Sequence, residues 1–190
     1  MVADSVSDEC GTRTSLGDVR ILKLTRRRPM DSQMKQQIRM SFERIDELLL
    51  CGIFQRERAD DPLVMSALAE RLILVRDPMA KAKKFTTPVQ LTDDLNIANQ
   101  VKDVSDAIKY VRDGICHVDS ENHSHDLCKA RIGYNVAYGK RCIAKFGDVE
   151  LTSDYEDDVC FFGEQKLYLK RLLRRAYQEA KDKLSPSIRA

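Results

Sequence analysis

The sequence predicts a mainly α-helical protein, an up-and-down bundle of about four long helices with a small β-hairpin insertion. Four segments carry apolar residues at alternating steps of three and four, which places those residues along one face of a helix. Helix-capping residues, glycine or proline mark several of the segment ends. The chain has 190 residues, 43% of them hydrophobic and 33% charged, which is enough for one domain with a substantial core.

The first two predicted helices lie in the first half of the chain. The first begins at Asp31 or Ser32 and runs to about Leu50, before Gly52. The second follows Asp61-Pro62 and is expected to end or kink at Asp77-Pro78, because proline lacks the backbone N–H of a helix interior.

The third helix is predicted to start at Thr92 or Asp93 and to reach Ile115, and the last to run from about Glu164 to Leu184. Between them, residues 131–148 resemble a hairpin turning at Gly139-Lys140, with a broken helix as the alternative. The acidic run at 154–158 is expected to introduce the last helix, where the helix dipole favours negative charge. The predicted core includes Ile38, Phe42, Leu68, Leu72, Val104, Ile108, Leu169 and Leu173.

The domain organisation follows from these elements. Residues 1–30 are predicted to form a mobile or extended arm, 31–185 the helical bundle and 186–190 a fraying tail. The arm holds Arg26, Arg27 and Arg28, which are either a solvated linker or a set of phosphate contacts.

Composition excludes several classes of protein. The net charge of +2 does not require a nucleic acid partner. The six cysteines form no CxxC pair, and the polar N-terminus is unlike a signal peptide, so we expect a cytoplasmic protein with reduced thiols. No apolar run approaches the roughly 20 residues of a membrane span. The chain has no glycine-rich phosphate loop and no GxSxG motif, and we expect no cofactor.

The candidate catalytic residues are Arg112, Asp113 and His117, at the end of the third predicted helix. Histidine titrates near neutrality and suits proton transfer in either direction, while arginine clamps phosphate oxygens. Asp113 and His117 share a helix face, whereas Arg112 and His117 stand roughly 140° apart unless Gly114 bends the helix.

The stretch from Arg112 to His117 resembles the Rx4-6H motif of the HEPN superfamily (higher eukaryotes and prokaryotes nucleotide-binding domains). The polar Asp113 after the arginine fits the usual family pattern, and the mostly helical layout from 31 to 185 is similar. The resemblance implies a metal-independent endoribonuclease that acts as a homodimer, in a defence or stress-response system. Such cleavage needs a proton acceptor for the 2′-OH, a proton donor for the leaving oxygen and a cation for the phosphorane. Asp119 stands where several toxin-type members carry tyrosine, which separates this chain from that subfamily.

Three alternatives remain open. Arg112 and Asp113 can form a surface ion pair beside a solvated His117, which would leave a catalytically silent HEPN-like bundle that binds a partner protein or a nucleotide. Lys170, Arg171 and Arg174 form a basic flank that is either an RNA-binding surface or a solvated helix face. Four residues within a short stretch either bind zinc or belong to a polar loop without metal: Cys116, His123, His125 and Cys128.

Overall fold

The computed structural model describes residues 29–95, 97, 101–117, 119–120, 122, 124–125, 130–131, 135–162 and 165–189. The predicted arm over 1–30 therefore lies almost entirely outside the described residues. Within the described part the α-helices are α1 (Ser32–Leu50), α2 (Val64–Phe85), α3 (Val104–Cys116) and α4 (Arg175–Arg189). A 3₁₀ turn lies at Arg56–Arg58, and a π-helical segment at Leu169–Arg174 leads directly into α4.

The predicted up-and-down bundle is wrong, because small antiparallel sheets fill the region between α3 and α4. A two-stranded sheet pairs β1 with β2, a three-stranded sheet has the order β3-β6-β7, and a second two-stranded sheet pairs β4 with β5. The fold is thus a mixture of helices and small sheets. The strands are β1 (Ser124–His125), β2 (Ala130–Arg131), β3 (Asn135–Tyr138), β4 (Arg141–Phe146), β5 (Val149–Ser153), β6 (Val159–Phe162) and β7 (Lys166–Tyr168).

The first helix agrees with the sequence signals. The Asp31 side chain accepts the Met34 N–H at 2.7 Å, which satisfies one of the unpaired donors at the start of α1. The predicted end at Leu50 is confirmed.

The second helix passes through Pro78 and ends at Phe85, so of the two outcomes expected at this proline the end of the helix is wrong. A proline inside a helix costs about 3 kcal/mol. The helix α2 packs against α1, α3 and α4, and its buried residues continue beyond the proline with Met79 and Ala82. Burial on several sides offsets the lost hydrogen bond.

The third helix begins at Val104, and the predicted start at Thr92 or Asp93 is wrong. The Asp103 side chain caps it by accepting the N–H groups of Ser105 at 2.8 Å and Asp106 at 3.1 Å. The Val104 N–H donates to the Leu91 carbonyl at 2.8 Å, which ties the preceding loop to the helix start. Val101, the first residue of the predicted stripe, is buried in the loop before the helix.

The last helix also starts later than predicted, because Lys166–Tyr168 form β7. Leu167 and Tyr168 are buried, and they pair with Phe161 and Cys160 of β6. At its other end α4 continues past Leu184 to Arg189, in the predicted tail. Ile188 is buried there.

The predicted hairpin at Gly139-Lys140 is also wrong. Strand β3 pairs with β6, about twenty residues along the chain, rather than with β4. The local hairpin is formed by β4 and β5, with its turn at Gly147-Asp148. Gly147 has a φ of +60°, which glycine adopts without steric cost.

The core agrees well with the predicted stripes. Seven of the eight predicted core residues are buried, and Leu169 packs against the core while partly exposed. Because α2 contacts α1, α3 and α4, it forms the centre of the helical layer.

Asp158 joins the acidic turn to the start of the last helical segment. Its side chain is fully buried and accepts the N–H groups of Val159 at 2.8 Å, Lys170 at 2.9 Å and Arg171 at 3.0 Å. The expected link between the acidic run and the last helix therefore exists in space, although β6 and β7 separate them in sequence. This carboxylate satisfies helix-start donors that the local sequence leaves unpaired.

Replacing Asp158 by alanine should destabilise the protein by about 2–4 kcal/mol, because the change leaves several backbone N–H groups buried without an acceptor. Urea unfolding followed by circular dichroism measures the loss. Asp157→Ala is the matched control, since that carboxylate is 65% exposed and its ion pairs are screened by solvent, so the loss should be much smaller. Equal losses in the two variants would contradict the capping role.

Arg71 is a charged side chain inside the core. It is fully buried on α2, and its three guanidinium nitrogens have no hydrogen-bond partner among the described residues. Burial, and then the charge of Arg174, lower the pKa of Arg71 to about 10, so it stays protonated at neutral pH. The ring of Phe54, whose centroid lies 5.7 Å from the guanidinium carbon, compensates only in part.

Replacing Arg71 by methionine should therefore stabilise the protein, by roughly 1–3 kcal/mol, because it removes a desolvated charge and keeps the apolar volume. The midpoint of thermal unfolding should rise. Arg71→Lys keeps the charge and should bring no gain. A lower midpoint for Arg71→Met would show that the guanidinium stabilises the fold.

Candidate active site

The helix α3 carries the candidate catalytic residues on a rigid support. It packs on α2, and its apolar face is closed off from solvent. Its last turn reaches the surface with Arg112, Asp113 and His117. The buried face consists of Val104, Ala107, Ile108, Val111 and Gly114.

Arg112 and Asp113 are held together. The Arg112 Nε donates to Asp113 Oδ1 at 2.9 Å, and a terminal guanidinium nitrogen pairs with the same oxygen. The two side chains are 24% and 26% exposed, so the pair lies at the surface without being fully solvated. This is the ion pair that the sequence allowed as an alternative, and it places a cation next to a carboxylate at one edge of α3.

His117 follows the last residue of α3 and is exposed. Its N–H donates to the Asp113 carbonyl at 3.1 Å, and its own carbonyl accepts the Ser120 N–H at 3.0 Å. The chain then turns back, and the Asn122 side chain donates to the Tyr110 carbonyl at 2.9 Å. The turn after His117 is therefore anchored to the helix it has just left.

The helix α3 runs through Gly114, where the sequence allowed a bend or an end. Gly114 is buried, and the hydrogen bond from His117 to Asp113 continues the regular pattern past it. A regular helix leaves Arg112 and His117 roughly 140° apart around its axis, while Asp113 and His117 share a face. A single copy of α3 thus presents Arg112 on one flank and His117 on the other.

The basic flank pairs with an acidic turn. Both α3 and α4 pack on α2, and the side chains of Lys170 and Arg171 pair with Asp157, with an Arg171–Asp157 distance of 3.0 Å. The Arg171 guanidinium carbon also lies 3.8 Å from the centroid of the Tyr155 ring. Burial acts to lower the pKa of Arg171, and the hydrogen bond and charge of Asp157 raise it overall.

Arg174, the third residue of this flank, is exposed, and its charge lies close enough to lower the pKa of Arg71. Two of the three predicted RNA contacts are therefore neutralised by an acidic turn that precedes them in sequence by more than ten residues.

The zinc hypothesis falls mainly outside the described residues. His123, Cys128 and the side chain of His125 lie outside the described part of the chain. Where the structure does describe the chain, no group of three or more metal-ligating side chains comes together. Cys51, Cys116, Cys142 and Cys160 form no disulfide with one another, and burial raises the pKa of Cys160 to about 12.

Sequence reasoning missed a cleft of about 490 Å³ between the second half of α2 and the start of α3. Its basic residues are Arg76 and Lys83 from α2, Lys102 from the loop before α3 and Lys109 from the middle of α3. Arg76 and Lys83 stand seven residues apart, which is two turns of α2, and this spacing is the signal in the sequence. The site forms only because that face of α2 lies opposite Lys102 and Lys109.

None of the helices in the described residues combines the length and the apolar character needed to cross a membrane. No family model, no curated protein and no solved structure matches the chain.

Proposed function

We propose that the protein is a metal-independent endoribonuclease of the HEPN type, with Arg112, Asp113 and His117 as its catalytic residues. The observation that carries the proposal is the position of these three side chains. They occupy the last turn of α3 and the residue after it, at the surface, on a helix that is otherwise packed in the core. Such support holds catalytic groups in a constant geometry.

The chemistry needs one base, one acid and one cation. In the proposed reaction the 2′-oxygen of a ribose attacks the adjacent phosphorus and its proton passes to a base, while the bond from phosphorus to the 5′-oxygen breaks. The departing oxygen receives a proton, and the product carries a 2′,3′-cyclic phosphate. His117 performs one of the two proton transfers, Arg112 stabilises the phosphorane charge, and Asp113 orients these groups.

The site is proposed to be shared between two copies of the chain. Arg112 and His117 diverge around α3, so one copy presents only part of the set to a given phosphate. A two-fold axis beside the end of α3 would bring Arg112 of one copy towards His117 of the other. We place this homodimer in the cytoplasm, where RNA is available and thiols stay reduced.

A second function is favoured by one observation. The Arg112 guanidinium is already paired with Asp113, which lowers its availability for a phosphate. A protein with this arrangement can bind a partner protein or a nucleotide without cleaving RNA.

Incubation with a mixture of RNAs in EDTA separates the two functions. Cleavage products with cyclic phosphate ends support the endoribonuclease. Intact RNA, together with tight binding of a nucleotide or a partner protein, supports the silent domain.

A further inference from the structure

The cleft between α2 and α3 carries more positive than negative charge. Four basic side chains and two acidic side chains line it, which leaves a net charge of +2. The floor between them is apolar and includes Met79 and Val89, both nearly fully buried. An apolar floor with cationic walls favours a ligand that carries several negative charges.

The two acidic residues of the cleft are already used as acceptors. Asp103 Oδ1 accepts two N–H groups at the start of α3, and Asp106 Oδ2 accepts the Lys102 N–H at 3.1 Å. They therefore stabilise the start of the helix. Neither forms an ion pair with a described residue.

The four basic residues are available to a ligand. Many other lysines and arginines of the described chain form ion pairs, but Arg76, Lys83, Lys102 and Lys109 form none with a described carboxylate. Lys83, Lys102 and Lys109 are exposed. The contrast with Lys170 and Arg171, which an acidic turn neutralises, identifies the cleft as the stronger basic surface.

The walls of the cleft are fixed in place. Its outer wall includes Pro88, whose carbonyl accepts a hydrogen bond from Lys183 of α4 at 2.7 Å. The loop then meets α3 through the hydrogen bond between Leu91 and Val104. A cleft that is preformed in this way loses little entropy when a ligand binds.

The cleft leads to the candidate active site. Lys109 lines the cleft, and Arg112 and Asp113 follow it by three and four residues on α3. Residues at these spacings are neighbours on a helix surface, with Cβ atoms about 5–6 Å apart. A strand held in the cleft can therefore continue directly to the end of α3.

We propose that the cleft between α2 and α3 binds the sugar–phosphate backbone of single-stranded RNA and leads the strand to the candidate active site. This inference rests on the proposed function. The cleft has a volume of about 490 Å³, the size of a small-ligand pocket. Proteins that bind double-stranded RNA contact roughly 16 base pairs, so the cleft is too small for a duplex and suits a single strand. The described lining contains no aromatic ring for base stacking, so the recognition is electrostatic and independent of sequence.

The test measures binding apart from cleavage. The probe is a fluorescein-labelled, fully 2′-O-methylated oligonucleotide of about a dozen nucleotides, which lacks the 2′-OH and cannot be cleaved through it. Fluorescence anisotropy then gives the dissociation constant for the full chain at several salt concentrations. The cleft variant carries Lys83→Glu and Lys109→Glu. The matched control carries Lys140→Glu and Arg141→Glu, which make the same change of charge at exposed basic residues outside the cleft lining.

The cleft variant should bind the probe at least tenfold more weakly than the wild type. Its plot of log affinity against log salt should be shallower by about 1.4, since each phosphate contact of a single strand contributes about 0.7. The control should bind within about twofold of the wild type at physiological salt, where screening acts over about 8 Å. Lys83→Ala with Lys109→Ala repeats the test without added negative charge, and circular dichroism checks each fold.

Three results would overturn the inference: unchanged binding in the cleft variant, equal weakening in the control, or a wild type that binds ATP in the cleft and ignores the oligonucleotide. If the wild type binds the oligonucleotide but cleaves no RNA, and the cleft variant loses binding, RNA binding in the cleft is supported and only the endoribonuclease activity is excluded. If cleavage depends on His117 and the cleft variant binds as well as the wild type, only RNA binding in the cleft is excluded.

Discussion

RNA cleavage by the purified protein should persist in EDTA and fall by roughly 10²–10⁴-fold in the His117→Ala variant, because this change removes one proton transfer. Arg112→Ala should cost a comparable factor by removing charge stabilisation of the phosphorane. Denaturing gels of end-labelled RNA measure both rates. Both variants should stay folded, since His117 is exposed and Arg112 contacts its neighbour at the surface.

Cys116→Ala is the control for these variants. It lies beside His117, is exposed, and has no part in the proposed chemistry, so its rate should match the wild type. Full activity in both His117→Ala and Arg112→Ala would exclude the site and favour the silent binding domain. Cleavage that disappears in EDTA and returns with magnesium would contradict the metal-independent scheme.

A mixture of the two inactive variants tests the shared site. If Arg112 and His117 act from opposite copies, a heterodimer contains one intact pair and should recover part of the wild-type rate. If both act within one copy, the mixture should stay inactive. Sedimentation of the wild type shows whether the dimer exists at the concentrations used.

The Ile108→Asp variant should fail to fold. Ile108 is fully buried on α3 where it packs against α2, and an aspartate there places an unpaired carboxylate in the core. The free-energy cost of burying this charge is comparable to the roughly 5–15 kcal/mol by which a typical domain is stable. Far-UV circular dichroism should show loss of helix, or the protein should be insoluble.

Lys109→Asp is the matched control for Ile108→Asp. It introduces the same residue one position later on the same helix, where the side chain is exposed, and it should fold normally. A soluble Ile108→Asp variant with wild-type helical content would refute the assignment of this face to the core.

Local signals account for the elements that the sequence predicted well. The capping aspartate at 31 and the apolar stripe that follows lie within one helix, so both were visible in the sequence. Most of the predicted core is buried for the same reason, since a stripe repeating every three to four residues has to face an apolar surface. The surface position of Arg112, Asp113 and His117 also follows from the end of one stripe.

Elements that depend on a partner far away in the chain could not be predicted from the sequence. The strand β3 pairs with β6, whereas the sequence favoured a hairpin with its nearest neighbour. The sequence predicts a last helix from about Glu164, but Leu167 and Tyr168 belong to a strand that pairs with β6, and both are buried. Short apolar runs suit strand and helix alike, and the tertiary environment decides between them.

The sequence by itself determined the helical stripes, most of the core and the three candidate catalytic residues, because these depend on spacing along one element. Only the tertiary structure decided the small sheets, the capping of the last helical segment by Asp158 and the neutralisation of Lys170 and Arg171. It also decided the basic cleft, where Lys83 and Lys109 belong to different helices. Contacts between residues far apart in the chain arise from packing, and no local pattern encodes them.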